Sequence, residues 1–254
     1  MLSLTTILPA YNEGESLPAF LRAWAEHAVS RRGMAVTALV IDDGSRPDQE
    51  AKQRLAVETA SAVLTAAHTP HQIQYHRARR NQGKGASIRW GWSLADPACR
   101  WLSFVDADGA IDAREYWRLV DQLPGATVDA LCGARVNMLG RSVNRSLFRH
   151  LQGRSFATVV ELLFHLGFYD TQCGIKFFRA ERLRPFLGRL RENRWLLDIE
   201  LLAWLKTVNA RCIETPIDCH ERGGSALVFG LDPIRMLFGL LALRSRLRGT
   251  GGAR

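Results

Sequence analysis

The sequence of 254 residues has no run of about 18 uncharged apolar residues, which argues against a membrane-spanning helix. Its start lacks the basic-then-apolar pattern of a secretory leader, because Pro9 and Asn12-Glu13 interrupt it early. Cysteine is scarce: Cys99, Cys132, Cys173, Cys212 and Cys219 are odd in number and form no CxxC pair. That excludes a disulfide framework and a cysteine zinc site, and it fits reduced thiols. No internal repeat or low-complexity tract is present. With 47% hydrophobic residues the chain is not disordered, and its length suits one large α/β domain or two small ones. A soluble fold facing the cytoplasm is the expectation.

What is present is unevenly charged. Residues 1–134 carry 14 basic and 15 acidic side chains, whereas residues 135–254 carry 20 and 10. A basic second half implies an anionic partner there: nucleic acid, anionic lipid or a phosphorylated substrate. Composition does not choose among them.

The apolar runs Leu4–Leu8, Ala38–Ile41, Ile73–Tyr75 and Trp101–Val105 read as strands, and Leu39-Val40-Ile41 and Trp101–Val105 do not alternate, as expected of strands covered on both faces. Helical stretches are expected at about 15–32, 48–66, 84–95 and 112–122, giving βα units and a mostly parallel sheet. In such sheets reactive groups collect where strands end. Those exits read Pro9-Ala10-Tyr11-Asn12-Glu13, Asp42-Asp43-Gly44-Ser45 and Asp106-Ala107-Asp108-Gly109. Between them Asn81-Gln82-Gly83-Lys84-Gly85 opens a helix with free N–H groups and an ammonium that suit a phosphate; a plain flexible turn is the alternative.

Asp106 and Asp108, two apart at a strand end, suit Mg²⁺ or Mn²⁺ completed by ligand phosphates. The bland alternative is a solvated turn before a helix capped by Asp112, and Asp42-Asp43 can likewise be an Asx turn.

Taken together, the segments PAYNE (9–13), IDDGS (41–45), NQGKG (81–85) and DADG (106–109) resemble the family 2 glycosyltransferases. Gly133-Ala134-Arg135, the DTQCGIK segment at 170–176, Arg194-Trp195 with Asp198 and Glu200, and Glu214-Thr215-Pro216-Ile217 resemble the polyprenyl-phosphate branch, above all the dolichyl-phosphate β-glucosyltransferases. The resemblance spans about residues 3–228. It implies the GT-A fold, a Rossmann-like, mostly parallel sheet flanked by helices, with amphipathic interfacial helices. It also implies that Pro9, Ala10, Tyr11, Glu13 and Asp42 line the base and ribose pocket, that Lys84 faces the nucleotide, and that Asp106 reaches ribose or metal. Asp108 would hold the metal, while Asp198, Glu200 and Gln172 would sit at the sugar and acceptor end. For Asp198 and Glu200 the alternative is a capping Asp and an ion-pairing Glu on a helix over 196–207.

The implied reaction moves a hexose, with inversion, from a nucleotide sugar (UDP-glucose first, GDP-mannose second) to a polyprenyl monophosphate. A phosphate monoester, with a second pKa of about 6, is already an anionic nucleophile near neutrality, so the site needs arginines more than a base. Arg135 occupies the family's phosphate-facing position. Arg141, Arg145 and Arg149 recur every four residues, with Val143, Leu147 and Leu151 on the opposite face. We therefore expect 141–168 to form a membrane-facing helical pair, with Arg145 and Arg149 beside Arg135 at the acceptor phosphate, unless it is a surface helix with its cations in water.

The chain departs from its relatives at Arg191, where processive synthases have Gln, at Ala226, where the branch commonly has Lys, and at Gly109-Ala110, which supply no third metal contact. The expected layout is a transferase domain over 1–228 and, over 229–254, an amphipathic helix opened by Pro233 with a mobile tail. The protein would work peripherally on the inner, cytoplasmic face of a membrane. A transferase acting on a glycan hydroxyl would need Asp198 or Glu200 as a true base. A nucleic-acid binder would need interleaved exposed aromatics, which are lacking, so no nucleic acid is expected as a partner. The sequence does not give the oligomeric state.

Overall fold

The computed structural model describes residues 1–144, 147–220 and 232–250, and the side chains of these except 144, 147–152, 232–236 and 248–250. Seven strands form the main sheet: β1 (Leu2–Ala10), β2 (Met34–Asp42), β3 (Gln72–Arg77), β4 (Trp101–Val105), β5 (Ala130–Ala134), β7 (Ile175–Arg179) and β8 (Cys212–Pro216). Their order is β3-β2-β1-β4-β7-β5-β8, and only β7 runs against its neighbours. The four apolar runs read as strands lie in β1 to β4. All five β4 residues are buried, as both faces of the sheet are covered.

The first helices fall near their expected places: α1 (Leu17–Val29), α2 (Pro47–Ala66), α3 (Lys84–Ser93) and α4 (Ala113–Val120). In α1, Leu17, Phe20, Leu21, Trp24, Ala25 and Ala28 recur at helical spacing and are buried against the sheet. Asp112 caps α4 through the Glu115 N–H at 2.7 Å, an interaction that stabilises a helix by about 1 kcal/mol. One core packs α1, α2 and α4 on one face of the sheet, and a second packs α3, α6 (Ala180–Leu187) and α7 (Leu197–Thr207) on the other.

The expected helical pair over 141–168 is not what forms. Over this range a single helix, α5, spans Leu147–Phe164, and Val143–Asn144 is a strand instead of part of a first helix. Arg141 is drawn out of any helical face by Glu115 and Asp218, at 3.3 and 3.4 Å. Val143–Asn144 forms strand β6, paired in parallel with β9 (Cys219–His220). The four-residue arginine spacing imitates a helix face, but distant carboxylates and a strand partner decide the local conformation. Arg145 and Ala226 lie outside the described residues, as does the side chain of Arg149.

The last helix, α8 (Asp232–Thr250), begins beside Pro233 and includes the first two residues of the expected tail; residues 251–254 lie outside the described residues. Leu240 and Leu243 are buried with Val160 of α5 and with Leu196 and Ile199 at the start of α7. Among the described residues no helix is long and apolar enough to cross a membrane.

Candidate active site

The exits of β1, β2 and β4 lie side by side at one edge of the sheet. Asn12, with φ of 61°, clamps the first two: its N–H donates to Ser45 Oγ at 2.8 Å and its Oδ1 accepts from Arg46 N–H at 3.0 Å. Asp42 is wholly buried and committed to this framework, accepting from Ser45 N–H at 2.8 Å and from the Tyr75 hydroxyl at 2.5 Å. Asp43 accepts from the N–H groups of Gln82 and Gly83 at 2.8 and 2.7 Å, which ties the NQGKG turn to the β2 exit. Gly83 has φ of 101°, and a Cβ there would run into the Asn193 carbonyl. The turn therefore packs directly on residues 192–194.

Lys84, first residue of α3, places Nζ 2.6 Å from Asp106 Oδ1, between the rings of Phe104 and Trp195 at 5.3 and 5.9 Å. Burial lowers the affinity of this ammonium for its proton, but Asp106 and Asp198 more than reverse that. Asp108 is exposed and engages only Oδ1, with Ala110 N–H at 2.9 Å. Burial, and then Asp108 and Asp106, push the Glu13 carboxyl above its ordinary range; burial and Asp108 act on Asp106 the same way. Glu13, Asp106 and Asp108 share one close ammonium, Lys84, so the group keeps net negative charge that a bound cation would offset. Among the described residues no three such groups converge closely enough to hold a metal alone, so phosphate oxygens would have to complete its shell. Hard oxygen donors of this kind fit Mg²⁺ or Mn²⁺.

Across the site, Asp106 N–H donates to the Gly174 carbonyl at 2.9 Å. A Cβ on Gly174 would overlap the Asp106 carboxylate. Gly174→Ala therefore displaces Asp106, and we expect kcat to fall by about a hundredfold while circular dichroism stays near that of the parent; unchanged turnover would contradict this geometry.

Arg135 meets Asp170 in a fork, Nε to Oδ2 at 2.7 Å and Nη2 to Oδ1 at 2.9 Å. Glu214 in turn receives the N–H groups of Tyr169 and Asp170, both at 2.7 Å. Beside this pair lies a small cleft, about 50 Å³ in volume, whose lining includes Arg135, Arg154, Phe156, Tyr169 and Gln172. Arg154, on α5, donates to the Tyr169 carbonyl at 2.9 Å and lies 4.2 Å from that ring's centre. It has no carboxylate within ion-pair distance among the described residues. Sequence reasoning missed it: it falls outside the 141/145/149 spacing.

A sequence profile described as "Glycosyl transferase family 2" matches residues 5–186, which is most of the chain and includes every strand exit described above. The chain belongs to glycosyl transferase family 2. This transferase is 27% identical to the dolichyl-phosphate beta-glucosyltransferase of Dictyostelium discoideum, over 96% of this chain and 74% of that one. It is 30% identical to the enzyme of the same name from Drosophila melanogaster, over 89% and 69%. In three dimensions it resembles glucosyl-3-phosphoglycerate synthase of Mycobacterium tuberculosis, crystallised with Mn²⁺, UDP and phosphoglyceric acid. The TM-score is 0.63 at 15% identity, covering 97% of this chain and 78% of that one. The GT-A-like fold expected from the motifs is thus present.

The transferase brings Glu13, Lys84, Asp106, Asp108 and Asp198 into one electrostatically coupled group. Tyr11 is exposed at the β1 exit and Ala10 is buried behind it. Gln172 borders the site by donating from Nε2 to the Trp195 carbonyl at 3.2 Å. Glu200 is not brought in. It is fully buried, receives the N–H groups of Arg191 and Glu192 at 3.0 and 2.9 Å, and meets Arg246 at 3.1 Å. Asp198 is held by Lys176 at 2.5 Å. Lys176 stands in the DTQCGIK motif, but a lysine in sequence signals exposure, and this one is fully buried.

Proposed function

We propose that the transferase moves a hexose, glucose before mannose, from a nucleoside-diphosphate sugar to a polyprenyl monophosphate with inversion at the anomeric carbon. One observation carries the choice of acceptor: both carboxylates that a hydroxyl acceptor would need as a base are already engaged. Asp198 is neutralised by Lys176, and Glu200 by two main-chain N–H groups and Arg246. With these two candidates engaged, the sugar end suits a nucleophile that arrives deprotonated, as a phosphate monoester does. The names of the curated relatives point the same way.

In this reading a phosphate oxygen of the acceptor attacks C1 of the hexose as the bond from C1 to the donor's diphosphate oxygen breaks. The products are a polyprenyl phosphohexose and a nucleoside diphosphate. Lys84 leaves Asp106 for the diphosphate, and Asp108 with Asp106 would hold Mg²⁺ or Mn²⁺, which neutralises charge developing on the leaving diphosphate. The acceptor phosphate sits in the cleft beside Arg154, whose guanidinium is anchored but not neutralised, while Phe156 and Ala157 offer apolar wall to the first isoprene unit. Arg135, already forked with Asp170, orders the cleft floor. Leu162 of α5 and Phe238 of α8, each 67% exposed, offer apolar side chains for peripheral contact with the inner surface of a membrane.

The test is a donor screen with a defined polyprenyl phosphate, following glycolipid formation with Mg²⁺, Mn²⁺ or chelator. Formation of glucosyl phospholipid that stops with chelator supports the reading. Transfer to a free glycan hydroxyl and none to the lipid phosphate would replace it. Arg154→Ala is expected to raise KM for the lipid phosphate about tenfold or more while leaving KM for the donor within twofold.

A further inference from the structure

The site contains two ammonium–carboxylate pairs of unequal access. Lys84 and Asp106 form the outer one, with side chains 16% and 26% exposed; Lys176 and Asp198 form the inner one, at 0% and 7%. The two lysines lie against the same ring, Phe104, with Nζ 5.3 Å and 5.4 Å from its centre. Phe104 and Lys176 face each other in the β4–β7 register, so the sheet itself fixes the inner ammonium. That ammonium donates to the Cys173 carbonyl at 2.7 Å and to Asp198 Oδ1 at 2.5 Å. A fully buried ammonium is tolerated only with such partners. The charge of Asp198 also acts on both members of the outer pair.

Resting on the donor reading above, we propose that Lys176 is a positioning residue for donor binding: by retaining the Asp198 carboxylate, it leaves Lys84 opposed by one carboxylate, Asp106, and so free to move to the donor's diphosphate. Without Lys176, Asp198 is a buried anion that already acts on the Lys84 ammonium. Lys84 is then shared between two carboxylates, and the diphosphate must displace both. The outer pair opens with each turnover, and the inner pair stays closed.

Lys176→Met tests this in two ways. In its ligand-free crystal structure, Asp198 should lie within hydrogen-bond distance of Lys84 Nζ; Asp198 unmoved from its parental position overturns the proposal. With UDP and Mn²⁺ as the probe, the variant should bind about tenfold more weakly than the parent. The double variant Lys176→Met/Asp198→Asn, which removes both inner charges, should return UDP binding to within twofold of the parent while kcat stays low. Equal weakening in the single and double variants would mean packing damage and overturn the proposal. A parent that fails to bind UDP sinks the donor reading instead, and the crystallographic result still decides the role of Lys176. Should Lys176→Met not fold, Lys176→Gln, uncharged but still a donor to the Cys173 carbonyl, replaces it under the same outcomes.

Discussion

Asp108→Ala is expected to lower kcat by a factor of about 10²–10³ or more, because in the proposed reaction the group lost is the exposed half of the carboxylate pair that would hold the metal at the leaving diphosphate. The fold should hardly notice. Among the described residues the Asp108 side chain makes one hydrogen bond, to Ala110 N–H in its own turn, and it is exposed. Surface changes of this kind alter stability by about 0.5 kcal/mol. Thermal melting of the variant should therefore overlay that of the parent, and the dependence of UDP binding on Mn²⁺ should vanish with the activity. Transfer that remains stimulated by metal would remove Asp108 from the reaction.

The second large effect is on stability. The side chains of Arg135 and Asp170 are only 18% and 11% exposed, and the carboxylate receives the Arg135 main-chain N–H in addition to the fork. Removing one partner of such a pair leaves an uncompensated buried charge, so Arg135→Met should cost about 3 kcal/mol, the lower end of the range for buried pairs because some surface stays wet. The acid side gives a further check. Burial raises the Asp170 carboxyl, but the Arg135 guanidinium outweighs it and holds the group below the ordinary carboxylate range. A group whose folded-state pKa is depressed contributes stability above its unfolded value, near 3.9, and loses it as pH falls through the folded value. The difference between parent and Arg135→Met in urea unfolding should thus be full at pH 7 and shrink below about pH 4. A constant difference across that window would mean that lost packing, not the ion pair, is responsible.

The strand exits of the first half were legible because each combines a buried apolar run with a turn rich in carboxylates, and local sequence decides both. Lys84 and Asp106 were found in the same way, and they meet at 2.6 Å. Residues whose partners are distant or main-chain were not legible. Glu200 looked like a candidate for the sugar end, but it is occupied by N–H groups of Arg191 and Glu192, which no side-chain pattern reveals. Arg141 looked helical because of its spacing, yet Glu115 and Asp218 claim it from elsewhere in the chain. Lys176 is legible in the sequence only as part of the DTQCGIK segment, with no role attached, and it is fully buried on β7. Its burial follows from Asp198, which is 22 residues away in sequence.

The reversed strand β7 has an evolutionary corollary. The chain departs the sheet after Ala134 and re-enters at Ile175 on the adjoining strand, where Cys132 pairs with Lys176. The excursion over 135–174, which carries Arg154, leaves and rejoins the sheet about one strand spacing, ~4.8 Å, apart, and it is tied down again where β6 pairs with β9 and where Glu214 receives the N–H groups of Tyr169 and Asp170. Exchange of this segment between members of the fold would therefore keep the other strands in register, and Asp106 in place, only where the strand partner β9, Glu214 and the Gly174 carbonyl are inherited with it.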